Sequence, residues 1–237
     1  MHKKLLTVCF AALALGAIAL PAIAQATNSP VVTHPTGTVL ASGTKIEATN
    51  IGETLMRNTE TGAIQLACTT ATMTGTLTKN ETGNVQGEIS SASFTGTGSE
   101  GRCTGFVSVK VVPLNFPWCL KSNNTMLTDE FTVTGAGCGS AAKTLEFQLL
   151  PSTGGTCTYR ATKASIKGTY TTHAAGDAKM RIPRSGLSTN EEKSTETGFT
   201  KVHDSTFFSV CPSSSYLEME FTLETDGVVN SGLFISS

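Results

Sequence analysis

Few residues of this 237-residue chain are of types that do chemistry: seven cysteines, four histidines, and acidic side chains that fall in short alternations. Ser209, His203 and Asp204 are the three residue types of a hydrolytic triad gathered into one stretch. A triad is normally assembled from distant segments that hold it rigidly, and the chain has no G-x-S-x-G elbow to present a serine. Glu218 and Glu220 share one face of a strand, about 6.6–6.8 Å apart by strand rise, a spacing that paired carboxylates of a glycosidase could use. Alternating glutamate is also what the wet face of any strand shows, and that reading is preferred. Thus no catalytic residue is assigned, and enzyme activity is left open with the balance against it.

Metal and phosphate chemistry fare no better. A metal needs histidines or carboxylates at i and i+2 on a strand or i and i+4 on a helix. His34, His173 and His203 each lack such a partner histidine and read as surface residues. The run "GAGCGS", Gly135 to Ser140, has the glycines of a phosphate loop but leads into a strand, whereas a phosphate cradle needs a helix N-terminus. It reads as a turn around a cysteine. No cofactor and no metal are expected.

Threonine is the commonest theme. In "TTATMTGTLT", Thr70, Thr72, Thr74, Thr76 and Thr78 alternate with Ala71, Met73, Gly75 and Leu77. A flat array of hydroxyls could meet ice or a glycan, but that needs several parallel rows, and no solenoid period supplies them. The row therefore reads as the solvent face of an amphipathic strand.

The elements that would position these residues are strands. "YLEMEFTLET" turns Leu217, Met219, Phe221 and Leu223 one way and Glu218, Glu220, Thr222 and Glu224 the other. "TLEFQLL" turns Leu145, Phe147 and Leu149 inward, and "FVSVKVV" does so with Val107, Val109 and Val111. Nothing after the N-terminal segment sustains a 3.6-residue period, so little or no helix is expected. Thr189 to Ser205 reads as a long exposed loop, and Pro183 as the edge or end of a strand. With charged residues at 15%, aromatics at 6% and 23 glycines, the composition is that of an all-β protein. Residues 36–237 are expected to form a single β domain, a disulfide-stapled sandwich or flattened barrel of roughly 10 to 14 strands.

A targeting signal precedes that domain. Lys3 and Lys4 form a basic start, Leu5 to Leu20 an apolar run, and "PAIAQA" offers cleavage after Ala24 or Ala26. The apolar run is shorter than the ~20 residues of a membrane span, so residues 1–26 read as a cleaved signal peptide and 27–35 as a flexible N-terminus. Cleavage takes the formal charge from −1 to −3 by removing the two lysines. So weak and mixed a charge excludes a nucleic-acid partner, and no later stretch predicts a transmembrane segment. The product is expected to be secreted.

Cleavage also removes Cys9 and leaves Cys68, Cys103, Cys119, Cys138, Cys157 and Cys211. An even number in an exported chain reads as disulfides, and zinc would prefer tighter pairs than these. A faint repeat bears on the pairing: Gly75-Thr76-Leu77-Thr78 and Gly83-Asn84-Val85 match Gly168-Thr169-Tyr170-Thr171 and Gly176-Asp177-Ala178. Each block is a hairpin with one cysteine before and one after. Among the 15 connectivities of six cysteines, two equivalent modules would give Cys68–Cys103 and Cys157–Cys211, leaving Cys119–Cys138 for the connection between them.

The runs "PTGTVLASGTKIEATNIGETL", "SASFTGTGSEGRC", "PWCLK" and "CPSSSYLEMEFTLET" resemble a family of exported Thr-rich proteins of soil actinobacteria. The resemblance implies a signal peptide followed by one Thr-rich β domain with these cysteines. It implies no activity and no site residues. The expected function is then a secreted, non-catalytic β scaffold that binds or structures something, such as a polysaccharide, at the cell envelope. Trp118 and Phe116, beside the middle loop, are the contact candidates, although a lone tryptophan next to Cys119 is more often core packed against a disulfide. Two alternatives are a secreted hydrolase, which predicts a cleft with converging carboxylates or His203, and a small-ligand carrier, which predicts an apolar cavity between the sheets.

Overall fold

In a computed structural model, residues 29–33, 37–171, 178–206, 210–225 and 233–236 are described. The targeting segment and the side chains of His34, His173 and Ser209 lie outside the described residues. The protein is all-β with one short helix, and of the two expected architectures it is the barrel.

The first described strand, β1 (Val31–Thr33), falls within the stretch expected to be flexible. The chain then runs up and down eight times, and every run but the last is broken near its middle. The first run is β2 (Lys45–Asn50) with β3 (Thr54–Arg57), and the second is β4 (Ile64–Cys68) with β5 (Thr70–Glu81). The third is β6 (Asn84–Thr95) with β7 (Thr104–Gly105), and the fourth is β8 (Val109–Leu114) with β9 (Trp118–Asn123). Then follow β10 (Glu130–Thr134) with β11 (Glu146–Pro151), and β12 (Cys157–Ala161) with β13 (Ile166–Thr171). The seventh run, β14 (Lys179–Ile182) and β15 (Gly198–Asp204), is interrupted by helix α1 (Asn190–Thr197), and the eighth is the unbroken β16 (Ser214–Thr225). Last, β17 (Phe234–Ser236) pairs antiparallel with β1. The described strands number seventeen, more than the 10 to 14 expected, because the breaks split long runs in two.

Each run keeps the same two neighbours on both sides of its break. One ring closes completely through ladders in the order β2, β5, β6, β9, β10, β13, β14, β16 and back to β2. A second ring follows the order β3, β4, β7, β8, β11, β12, β15, β16 and back to β3. Its junction between β7 and β8 has no ladder. There, Cys103 and Val109 alone exchange backbone hydrogen bonds, at 2.9 Å each way. The protein is thus an up-and-down antiparallel barrel of eight runs, in which the first ring closes and the strands beyond the breaks form the second. A meander of this kind needs only short turns, and closure of the first ring leaves no open sheet edge there.

Period-two alternation decides which residues enter the barrel. On β16, Met219, Phe221 and Leu223 are buried while their neighbours stay half-exposed, and Phe147, Leu149 and Val109 are buried as their strands predict. Ala71 and Leu77 turn inward on β5, leaving Thr70, Thr72 and Thr78 in solvent. These three threonines are therefore outer wall, while the half-buried Thr74 and Thr76, beside the bulges of β5, border the interior.

The described disulfides are Cys68–Cys103, Cys119–Cys138 and Cys157–Cys211, the set to which the hairpin repeat pointed. The two repeat hairpins, β5–β6 and β13–β14, sit half a turn apart in the first ring. Their bonds are nevertheless not equivalent. Cys68 and Cys103 join neighbouring runs, whereas Cys157–Cys211 skips the seventh run.

One local expectation is corrected. The stretch from Thr189 to Ser205 is not a loop but α1 followed by β15. Thr189 Oγ1 accepts from the Glu192 N–H at 3.1 Å, and Glu192 Oε2 accepts from the Thr189 N–H at 3.0 Å. This reciprocal capping box starts a helix that apolar periodicity could not reveal, because α1 presents almost no apolar face. It is fastened outside the barrel by Arg184–Glu196 at 2.7 Å and by the Tyr216 hydroxyl, which donates to Asn190 Oδ1 at 3.0 Å.

Candidate functional site: the barrel interior

Inward side chains from both rings surround a cavity of about 170 Å3. The first ring contributes Met73, Trp118, Leu120, Phe131, Met180 and Phe221, and the second contributes Met56, Leu66, Val111, Phe147 and Leu217. The space arises partly where inward positions are small, as at Ala48 and Gly87. The wall is apolar almost throughout. Its sequence signal was a strand face built of Ala, Gly and Met rather than Leu and Ile, and that pattern could have been read as room inside.

The two ends are closed differently. At the first ring's end, Val32 and Ile235 from β1 and β17 line the cavity, together with Pro30. Asn80 clasps this strap: its Oδ1 accepts from the Val32 N–H at 2.9 Å, and its Nδ2 donates to the carbonyls of Val32 at 2.7 Å and Leu40 at 2.9 Å. In the second ring, Phe147 stacks on Tyr159 at 5.4 Å between centroids and meets Phe199 at 4.9 Å. Behind them Tyr159 donates its hydroxyl to the Pro212 carbonyl at 2.6 Å. Burial, and secondarily the Asp204 charge, push the Tyr159 hydroxyl well above its ordinary pKa, so it stays protonated.

Asp204 accepts from Lys201 Nζ at 2.6 Å and from the Thr206 hydroxyl and N–H. These bonds, that from Lys201 first, hold its carboxyl well below the usual carboxylate range. Lys201 also donates to the Cys211 carbonyl at 2.9 Å. Asp204 is thus committed to structure, and its neighbour His203 points outward from β15.

The carboxylate pair does not face a cleft either. Glu218 pairs with Arg57 on the outer wall, and Glu220 lies opposite Arg181. At "GAGCGS" the Cys138 N–H, an amide that a phosphate would need, donates to Glu88 Oε1 at 2.7 Å. Among the described residues no three His, Cys, Asp or Glu side chains gather as a metal site.

Trp118 is buried and lines the cavity, with its indole N–H donating to the Leu114 carbonyl at 2.7 Å. Phe116 stacks on it at 4.5 Å without reaching the cavity. So the structure sets one contact candidate inside the barrel and the other behind it.

No family model, curated protein or solved structure matches this chain. What it can do must be read from its own geometry. Among the described residues no helix is long and apolar enough to cross a membrane. The barrel's own polarity is also informative. Lys45, Glu47, Arg181, Glu220 and Glu224 stud the outer wall while apolar side chains fill the interior. A membrane-spanning barrel carries an apolar band outside and polar groups within. This barrel has the opposite arrangement, that of a wall facing water.

Proposed function

We propose that the protein is an exported carrier that encloses a small apolar molecule inside its barrel. The observation that supports this reading is the cavity of about 170 Å3 with a nearly continuous apolar wall. Apolar cavities near 150 Å3 stay dry and take up molecules such as benzene, because water would forfeit hydrogen bonds there while an apolar guest regains lost dispersion contacts. Among the described residues the interior has no converging acid, base or nucleophile that would transform a guest, so the chemistry they offer is binding. Three disulfides fit an oxidising, extracellular compartment.

The only tryptophan lines the cavity, which makes the test direct. Titration with p-xylene or cyclohexane should change Trp118 emission saturably, and Ala48→Leu, which fills the space, should abolish the change while the thermal midpoint holds or rises. Emission that responds only linearly, or equally in the filled variant, would discard the carrier reading.

A second reading keeps the barrel as a non-catalytic scaffold that meets a polysaccharide of the envelope. Hydroxyls from two adjacent strands favour it: Thr70, Thr72 and Thr74 on β5 lie opposite Thr95, Ser93 and Ser91 on β6. Co-sedimentation with insoluble envelope polysaccharide, lost in a Thr72→Lys, Ser93→Lys variant, would be its signature. Equal sedimentation of both proteins would remove it.

A further inference from the structure

We infer that the guest is a single aromatic ring and that it lies against Met73, on the wall formed by β2, β5 and β6. This rests on the carrier reading above. Many inward side chains of the barrel are buried outright, among them Phe131, Tyr170 and Phe221. Ile46 and Ala48 on β2, Met73 on β5, and Ile89 and Phe94 on β6 also line the cavity, yet they stay half-buried. They face inward, so the surface they keep is surface of the cavity. The three strands are neighbours in the first ring, and the empty space therefore lies against their side of the barrel.

Met73 stands in the middle of that wall. Its ladder partners are Ala48 on one side and Ala92 on the other. Residues directly opposite one another in a ladder share a face, so a long side chain here stands between two short ones. The β5–β6 register also slips just beyond it, between Thr74 and Gly75. A methionine so placed has room to move, and its unbranched thioether adapts to the outline of what it touches. Its sulfur also favours the edge of an aromatic ring, a contact that a saturated ring does not return. Phe94 and Trp118 act in the same direction, because rings on the wall pack offset or edge-to-face against a ring in the cavity. The wall is apolar almost throughout, and the cavity volume suits one ring without a hydrogen-bonding group.

The test titrates the whole chain with benzene and with cyclohexane, following methionine methyl signals by NMR and Kd values by calorimetry. Benzene should shift the Met73 methyl signal saturably through its ring current, and leave that of Met126, which lies off the cavity, in place. The ratio of the cyclohexane Kd to the benzene Kd should fall roughly two- to tenfold in Met73→Leu, the worth of one sulfur–ring contact. Leucine conserves volume and apolarity there, so the variant should keep the parent's fold and still bind cyclohexane. A Met73 signal unmoved by bound benzene, or an unchanged ratio in Met73→Leu, would overturn this inference and leave the carrier reading intact. Failure of the parent to bind either ring would overturn both.

Discussion

The two rings of the barrel contain the same eight runs of chain yet are held together by different means. The first is closed by hydrogen-bonded ladders all the way round, including β14 to β16 and β16 to β2. The second is closed between β7 and β8 by a single pair of residues, and there Cys103 is tied to Cys68. Its far end is drawn in by Cys157–Cys211. The third bond, Cys119–Cys138, instead pins the connection between β10 and β11 against β9. Backbone ladders are a cooperative and local resource, whereas a disulfide acts mainly by restricting the unfolded chain. Cys103 is thus held on both sides, by its bridge to Val109 and by the disulfide that extends the short β4–β7 ladder.

The largest expected effect breaks that contrast directly. Replacing Cys68 and Cys103 with alanine opens a loop of 35 residues, and replacing Cys157 and Cys211 opens one of 54. The chain-entropy model assigns about 3–4 kcal/mol to each, with less for the 19-residue separation of Cys119–Cys138. Thermal unfolding of the paired variants should show the first two losing more than the third. Hydrogen exchange should rise in β7, β8 and β11 before it rises in β5 and β6. Uniform loosening of both rings would mean that the staples do not substitute for the missing ladder.

Next in size is a packing effect confined to the first ring. A Cβ on Gly168 would lie 2.2 Å from Phe131 Cζ and 2.5 Å from the Arg181 carbonyl oxygen. Ring and backbone occupy the space that any side chain would need. Gly168→Ala should therefore cost about 1–3 kcal/mol by overpacking, read as a lowered denaturation midpoint. Gly139, with nothing within 4 Å of an added Cβ, is the matched control and should tolerate alanine.

These particulars show what could be seen beforehand. Met219, Phe221 and Leu223 were legible as core because a strand's period is local and the pattern spans a whole face. The disulfide pairing was reachable because the β5–β6 and β13–β14 hairpins repeat in sequence. The closure of the barrel was not legible, since β16 meets β2 across most of the chain and no local pattern encodes that register. Helix α1 was missed because its signal is the capping box at Thr189 and Glu192, not apolar periodicity.

A smaller effect contrasts the two closed ends. Asn80 makes three hydrogen bonds to the strap of β1 and its neighbour Leu40. Asn80→Ala should release the strap locally, with faster exchange at the Val32 amide, a faster off-rate for any guest, and about 1–2 kcal/mol lost at most. Since the aromatic cluster at Tyr159 closes the other end, Tyr159→Phe should leave the off-rate unchanged. Equal acceleration by both variants would mean that guests do not leave past the strap.

The smallest effect is acid sensitivity of the second ring's end. Asp204 is held below its ordinary pKa by Lys201 and Thr206, so the unfolded chain binds a proton there at a higher pH than the folded protein does. Its stabilising contribution is complete above the unfolded carboxylate value near 4 and is lost as pH falls through the lower folded value. The thermal midpoint should accordingly decline below about pH 4, and Asp204→Asn should flatten part of that decline while lowering the midpoint slightly at pH 7. Exchange at low pH should quicken first in β15 and β12, which carry Asp204 and its partner Cys157 across the ladder, and last in β5 and β6. Parallel melting curves for parent and variant from pH 7 to pH 2 would remove Asp204 as the source, and leave the difference between the rings to their closure alone.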